Sequence, residues 1–260
     1  MEKILIKLFV FVIGASTGSF LNVLIDRLPK EESINGRSHC DFCGKKLNWY
    51  DLFPVLSFFI LKGRTRCCKK KLSFQYPIVE MITGGIYVLV FKDSPYIESL
   101  TRSVLILSIL SSLIIIFISD LKYHLISDYI LLALFVFSLL SKIVIPAEAG
   151  IQAIGLNVLS GLIVALPIFL IYHISKERAM GLGDVYLSAI MGFLLGWQKG
   201  FIALYISFVT GAIFGLIAII FKNKKLKSKI AFGPFLVIGT VVMLFWGEKI
   251  TEMIKKIYEF

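Results

Sequence analysis

No internal repeat and no low-complexity tract runs through these 260 residues, which excludes solenoid and fibrous architectures. A glycine-rich phosphate loop following a strand is missing too, so any nucleotide-like ligand needs another kind of pocket. Cysteine is scarce, with 4 in the chain, all between Asp26 and Gln75. That excludes a disulfide framework spread over the whole chain. Acidic side chains are outnumbered, 17 Asp and Glu against 28 Lys and Arg, for a net charge of +11. The N-terminal apolar run lacks a small-x-small cleavage site and continues past Gly18 to Leu24, so it reads as a retained first span rather than a secretory signal.

What is present is apolar. Hydrophobic residues make up 57% of the chain, 22 residues are Phe, and mean hydropathy is +0.85, which excludes an ordinary soluble domain. Crossing ~30 Å of hydrocarbon takes about 17–25 apolar residues. Stretches of this kind centre near Val12, Tyr87, Leu110 and Phe135, then near Ile168, Leu194, Ile213 and Val241. The expected fold is therefore an all-α polytopic membrane protein of about eight transmembrane helices, the second and sixth short. Residues 1–25 form the first span and 26–75 a small polar insert. Residues 76–260 form the remaining membrane core.

Charge placement sets the expected topology. Eleven Lys and Arg fall between Asp26 and Gln75, and a second cluster comprises Lys222, Lys224, Lys225, Lys227 and Lys229. The positive-inside rule puts both clusters in the cytoplasm with six spans between them, and both termini outside. Lys92–Ser99 and Pro146–Gly150 then lie outside, while Asp120–Asp128 and His173–Gly183 lie inside. These cations read as topology signals and attraction to anionic lipid, not as a nucleic-acid surface. Nothing in the sequence specifies an oligomeric state.

Two aspartates stand out against this background. Asp184 closes Gly181-Leu182-Gly183-Asp184 at the mouth of an apolar stretch, and Asp120 ends the apolar run Ser103–Ser119. A carboxylate inside a span costs about 2.5–3.5 kcal/mol on insertion scales, so a functional role is the default reading. Alternation puts both on one membrane face. Peptide hydrolysis by two aspartates needs one ionised carboxylate to take a proton from water and one carboxyl to donate to the carbonyl oxygen or leaving amine. Like charges held close cannot both ionise cheaply, so such a pair shares a proton. Gly181 and Gly183 are expected to allow positive φ and close backbone approach. The competing reading makes both aspartates solvated helix-end residues, with Asp184 favoured at a helix N-terminus by the dipole. Asp128 is expected to be such an N-terminal residue, outside the chemistry.

Cys40-Asp41-Phe42-Cys43 followed by Gly44 is half of a zinc site, since two thiolates three positions apart can grip one tetrahedral ion. Cys67 and Cys68 would supply the other half, but their adjacency makes joint ligation harder. Unliganded thiols, and redox use of them, remain the alternatives. His39 adjoins Cys40, which argues against both binding one ion. A structural metal would help an insert of about 50 residues to fold.

Several segments together resemble the bacterial type IV prepilin peptidases, polytopic aspartic proteases. They are Gly18–Pro29, Ser38–Cys43 with Leu47–Asp51 and Pro54–Ser57, and Leu72–Pro77 with Glu80. Asp120 with Ile126-Ser127-Asp128, Gly181–Val185, and Phe232-Gly233-Pro234-Phe235 follow in order. The resemblance implies that Asp120 and Asp184 are the catalytic pair. It implies prepilin or pseudopilin substrates, cleaved after glycine at the cytoplasmic face of the bacterial inner membrane, with N-methylation of the new terminus from S-adenosylmethionine. The chain departs from the family at Ser127, usually proline, and at Tyr186, usually lysine. It departs again in the insert, where the family's fourth cysteine falls on Cys68 but the third falls on Thr65, so Cys67 is displaced. A proton-coupled transporter would also place acidic residues in such a chain, though transporters usually carry repeats and midplane charges. A non-catalytic secretion assembly factor is the other alternative, and the two aspartates argue against it.

Overall fold

Apolar residues on every side of a helix leave it no preferred wet face, and the long helices here have that character. On α1 (Glu2–Arg27), Ile4, Leu5, Phe9 and Val12 are all half or more exposed on the protein surface. A 3-10 turn (Leu28–Lys30) follows, then a second (Trp49–Leu52) and the one-turn helix α2 (Leu56–Ile60). The membrane-type helices resume with α3 (Gln75–Val90), α4 (Ile97–Tyr123), α5 (Asp128–Val144) and α6 (Gly150–Ser175). The last are α7 (Leu182–Leu195), α8 (Trp197–Lys222) and α9 (Gly233–Tyr258). The computed structural model describes residues 2–91, 97–144, 150–222 and 231–258. Of the second basic cluster, Lys224, Lys225, Lys227 and Lys229 lie outside the described residues. So do 92–96 and 145–149 in the two expected outer connections.

Among the described residues, 5 helices are long and apolar enough to cross a membrane, in α1, α4, α6, α8 and α9. The other three expected spans coincide with α3, α5 and α7, of 16, 17 and 14 residues. At 1.5 Å per residue these reach only about 21–26 Å, short of a full hydrocarbon core. The all-helical expectation stands, while the count of eight spans exceeds what helix length alone supports.

The chain divides into two compact units, Met1–Ile115 and Ile116–Phe260. In the first, α1 lies against α3 at closest approach through glycine. A Cβ on Gly14 would stand 2.7 Å from Tyr87, and one on Gly18 would stand 2.8 Å from the Glu80 backbone. Small residues substitute here for the hydrophobic driving force that helices lack in lipid. The insert carries no named strand among the described residues, only the isolated bridges His39↔Lys46 and Arg64↔Lys71.

In the second unit α7 is the interior element, in contact with α5, α6, α8 and α9. Its Val185, Leu187, Met191 and Phe193 are buried, and Gly196 at φ +81 ends it. Glycine sets the α6–α7 spacing: a Cβ on Gly192 would stand 2.7 Å from both the Ser160 carbonyl and Val164 Cβ, and one on Gly161 2.8 Å from the Ala189 carbonyl. Pro167 sits inside α6, as membrane helices tolerate.

Gly192→Val should therefore lower the stability of the detergent-solubilised protein by about 1–3 kcal/mol through overpacking. Gly155→Ala, whose Cβ meets nothing within 4 Å, should leave stability unchanged or raise it by about 0.5–1 kcal/mol. Thermal unfolding of both variants checks this, and equal midpoints would remove the close-approach account.

Candidate functional site

Asp120 lies in the last turn of α4, just before the chain reverses. His124, at φ 52, donates its backbone N–H to the Asp120 carbonyl at 3.0 Å, and the Ser119 hydroxyl donates to the Leu125 carbonyl at 3.0 Å. This tight reversal delivers Ile126 back toward the helix end. Asp120 is 6% exposed, and its Oδ2 is fully buried without a hydrogen-bond partner in the structure. A buried polar atom left in that state costs free energy, so it calls for an explanation beyond solvation at a helix end.

Asp184 occupies the first turn of α7 and is 8% exposed. Its Oδ2 accepts the Gly181 backbone N–H at 3.1 Å, while its own N–H reaches the Gly181 carbonyl at 3.2 Å. The helix-capping reading is thus satisfied by one oxygen, yet the carboxylate is buried rather than solvated. Asp128, by contrast, is exposed in the first turn of α5, as expected of an N-terminal helix residue.

A short chain of contacts joins the two aspartates. A Cβ on Gly233, at the start of α9, would stand 2.6 Å from Asp120 Oδ2 and 3.2 Å from Ile126. A Cβ on Gly183 would stand 3.1 Å from Ile126 Cβ. Ile126 therefore bridges the Gly183-Asp184 turn and the Gly233 helix start, and the Asp184 carboxylate lies close enough to Asp120 for their charges to interact. Gly233 and Ile126 entered the sequence reading only inside the family-like segments; neither was singled out as a site residue, since a glycine before proline otherwise reads only as a helix start.

The expected role of the glycines needs one correction. Gly181 is extended, at φ −85 and ψ 160, and Gly183 is helical; neither has positive φ. What this loop requires of Gly183 is the absence of a side chain against Ile126, not left-handed backbone.

The insert brings all four cysteines together. The sulfurs of Cys40, Cys43, Cys67 and Cys68 lie within 4.8 Å of one another, and His39 is not among them. His39 Nδ1 instead pairs with Arg27 at 3.3 Å. Two loops of the same design present the thiols. In the first, Cys40 N–H donates to the Lys45 carbonyl and Gly44 N–H to the Cys40 carbonyl, with Gly44 at φ +67. In the second, Thr65 N–H donates to the Lys70 carbonyl and Lys69 N–H to the Thr65 carbonyl, with Lys69 at φ 56. Thr65 thus holds the place of Cys40, and Cys68 that of Cys43. Cys67, one step inside the loop, turns its sulfur to within 3.3 Å of Cys43 and so replaces the thiol that Thr65 lacks. Adjacency proves no obstacle, because the tight turn points both side chains to one centre.

The spacing suits a tetrahedral ion. Four sulfurs at about 2.3 Å from zinc stand about 3.8 Å apart. Cys40–Cys68 measures 3.8 Å, Cys43–Cys67 3.3 Å and Cys67–Cys68 4.0 Å. Thr65 Oγ1 accepts the Lys70 N–H at 3.1 Å, so its own proton is free to point at Cys68 Sγ, 3.1 Å away. That hydroxyl, with the Lys70 N–H, holds the Cys68 thiol down at about 6, while the Cys43 and Cys40 sulfurs push Cys67 up to about 12.

Residues 12–93 match the family described as Bacterial Peptidase A24 N-terminal domain, and residues 107–216 match the Type IV leader peptidase family. The first match contains the four cysteines and the second both aspartates. A protein of Aeromonas salmonicida (strain A449) named "Prepilin leader peptidase/N-methyltransferase" is 32% identical over 274 residues, covering 94% of this chain and 91% of its own. A Bacillus subtilis (strain 168) protein of the same name is 28% identical, over 92% of this chain and 94% of its own. One from Myxococcus xanthus (strain DK1622) is 31% identical over 83% of this chain, which spans only 64% of that relative's length. No solved structure matches the chain. The buried aspartates and the extent of these matches agree, and the chain belongs to the type IV leader peptidase family.

Thr65→Val removes the hydroxyl that stabilises the Cys68 thiolate. In metal-stripped protein the pH profile of Cys68 alkylation should then move upward, from a midpoint at about 6 toward the ordinary thiol value. An unmoved profile would dissociate Thr65 from the cysteine cluster.

Proposed function

We propose that this chain cleaves the short basic leader from type IV prepilins or pseudopilins, after glycine, and N-methylates the residue so exposed. The observation that carries the peptidase half is the buried junction of Asp120, Gly233, Ile126 and the Gly183-Asp184 turn, within a member of a leader peptidase family. One carboxylate takes a proton from water as the oxygen attacks the glycine carbonyl carbon; the other carboxyl protonates the carbonyl oxygen. Collapse of the tetrahedral adduct breaks the C–N bond; the departing nitrogen takes a proton from the first carboxyl while a hydroxyl of the adduct returns its proton to the second carboxylate, restoring both groups. Asp120 Oδ2, buried without a partner, has a free lone pair for water or substrate. Gly233 leaves the space beside it open.

The topology proposed for this chemistry is a multi-pass bacterial inner-membrane protein with about eight spans, in which α3, α5 and α7 also cross. Short helices do so at modest cost where the bilayer thins or polar cavities reach inward. Residues 1–25 form the first span, 26–75 a cytoplasmic insert and 76–260 the peptidase core, with both termini outside. The basic residues of the insert favour that orientation. This puts both aspartates at the cytoplasmic face, where a basic leader remains after its hydrophobic helix has inserted.

We assign the four thiolates a structural zinc ion. Four protein ligands leave no open position, so the ion's work is to fold an insert too small for a core of its own. S-adenosylmethionine would, when bound, supply the electrophilic methyl group and leave as the thioether, the amine giving up one proton to water. The protein's task is mainly to hold the α-amine in line, since with a pKa of about 7.7–8.0 a fraction is already neutral near pH 7. Midplane charge transport fits poorly, because both aspartates sit at helix ends.

Asp120→Asn and Asp184→Asn should each abolish leader cleavage of a purified prepilin while leaving abundance unchanged, and Asp128→Asn should cleave normally. Gly233→Ala, which sets a methyl group against Asp120 Oδ2, should slow cleavage by about tenfold to a hundredfold. Full processing by either asparagine variant, read by gel mobility, would sink the assignment. Elemental analysis should find about one zinc per chain. Cys67→Ser should lose it and Thr65→Ser retain it; no zinc in the native protein, with all thiols freely alkylated, would refute the metal.

A further inference from the structure

Inside an insert that carries eleven Lys and Arg, the ten residues Leu52–Leu61 carry no charge. This stretch is too short to cross a bilayer and of the length that enters one leaflet or lies in its interface. On α2, Leu56, Phe59 and Ile60 share one face at i, i+3 and i+4, and they are 61%, 61% and 73% exposed. The opposite face is already occupied. Ser57, Phe58 and Leu61 line a cavity of about 170 Å³ that α1 lines with Ser19 and Asn22. Resting on the reading of α1 as a membrane span, we propose that Phe53–Ile60 is a wedge in the cytoplasmic leaflet, its outer face against lipid acyl chains.

Depth follows from the contacts of Glu80. The 18 uncharged residues Leu8–Ile25 of α1 cover about 27 Å at 1.5 Å each, close to the hydrocarbon thickness, which sets the cytoplasmic boundary near Asp26. Polar groups gather at that level: the Tyr76 hydroxyl lies 2.8 Å from Asp26 Oδ2 and 3.0 Å from Asp41 Oδ2. Gly18 is eight residues further in, about 12 Å, and a Cβ on it would stand 2.8 Å from the Glu80 Cα. Glu80 Oε2 accepts the Val55 N–H at 2.7 Å. Side chains lean toward the helix N-terminus, here the cytoplasmic end of α3, by about one turn. Val55 therefore sits about 5–10 Å inside the boundary, the depth to which an interfacial helix buries its apolar face.

The turn at that depth is built for a place without water. Leu56 N–H closes on the Pro54 carbonyl at 2.6 Å across Val55 at φ 63, ψ −51, a γ-turn conformation costly for a β-branched residue. Lipid offers no acceptor to a backbone N–H, and Glu80, itself 8% exposed, supplies one to Val55. Beyond the wedge the chain turns basic at once, with Lys62 and Arg64 exposed and Arg64 bridged to the exposed Lys71. Phe58 ties this rim to the wedge. A Cβ on Gly63 would stand 3.1 Å from its ring, which lies 5.9 Å from that of Phe59 and 5.3 Å from that of Phe74. Phe74 leads into α3, whose Ile78, Met81 and Ile82 are exposed as well. The apolar surface of the wedge thus continues onto the outer surface of α3 and ends at cations suited to anionic headgroups. A substrate segment with a basic leader would meet the same cations with repulsion, which favours lipid as the occupant.

The test is quenching by brominated lipid in full-length protein reconstituted into nanodiscs of phosphatidylcholine and phosphatidylglycerol. Trp49, Trp197 and Trp246 are replaced by Phe, and one tryptophan is returned as Phe59→Trp, as Val12→Trp on α1, or as Lys45→Trp on the first cysteine loop. Leader cleavage serves as the folding control. With bromine on the upper acyl chain, Phe59→Trp emission should be quenched at least about twofold more than that of Lys45→Trp, and iodide in the water should quench the two in reverse order. A lipid with a photoreactive acyl chain, cross-linked to unmodified protein and mapped by mass spectrometry, reads the same contact without substitution and should label Leu52–Leu61. Val12→Trp quenched by lipid beside a Phe59→Trp that only iodide quenches overturns the wedge and leaves the span standing. So does a photoreactive lipid that labels α1 but not Leu52–Leu61. Shielding of Phe59→Trp from iodide only when a purified prepilin is added also overturns it, and would make this face a substrate groove. Val12→Trp that lipid fails to quench removes α1 as a span, and the wedge with it.

Discussion

Two carboxylates held near each other among apolar helices are the constraint that organises the second unit. Carboxylates of like charge repel, and burial removes the water that would soften the repulsion, so the arrangement persists only if surrounding structure holds it. The chain does this with backbone more than with side chains. The Gly181 N–H meets Asp184, the reversal after Asp120 is closed by its own carbonyl, and Gly233 brings the start of α9 against Asp120. Every one of these contacts tolerates no Cβ or needs none. The close α6–α7 packing through Gly161 and Gly192 then locks the helix that carries Asp184. Small residues are thus both the packing principle of the bundle and the means of leaving space beside its carboxylates.

The first unit solves a different problem, folding a short polar insert beside the α1–α3 helix pair. Two loops of one design face each other, and each would ordinarily give two thiols. Thr65 occupies one of those places without a thiol, and Cys67, two positions further along the same loop, compensates. The substitution is not neutral in its chemistry, because the Thr65 hydroxyl that remains stabilises the Cys68 thiolate. A cluster can thus keep its number of thiols while moving one of them along the sequence, provided a tight turn points the new side chain at the same centre.

The two units also correspond to the two family matches, one over 12–93 and one over 107–216. Cysteine cluster and cavity belong to the first, aspartates to the second.

Much of this was legible in the residues alone. Hydropathy determined an all-helical membrane protein, because runs of 17 or more apolar residues have no other stable place, and cost in lipid singled out Asp120 and Asp184. The spacing of Cys40 and Cys43 announced a metal loop for the same kind of reason: the geometry is local. What only the tertiary structure decided is every relation between distant segments. Ile126 between Gly183 and Gly233, Cys67 reaching Cys43, and Tyr76 shared by Asp26 and Asp41 join residues up to 107 positions apart, counted from Ile126 to Gly233. Sequence periodicity reports which face of a helix is apolar but not which neighbour it meets. In lipid, where all faces are alike, that choice is made by a few glycines whose significance appears only when the partner backbone is seen against them.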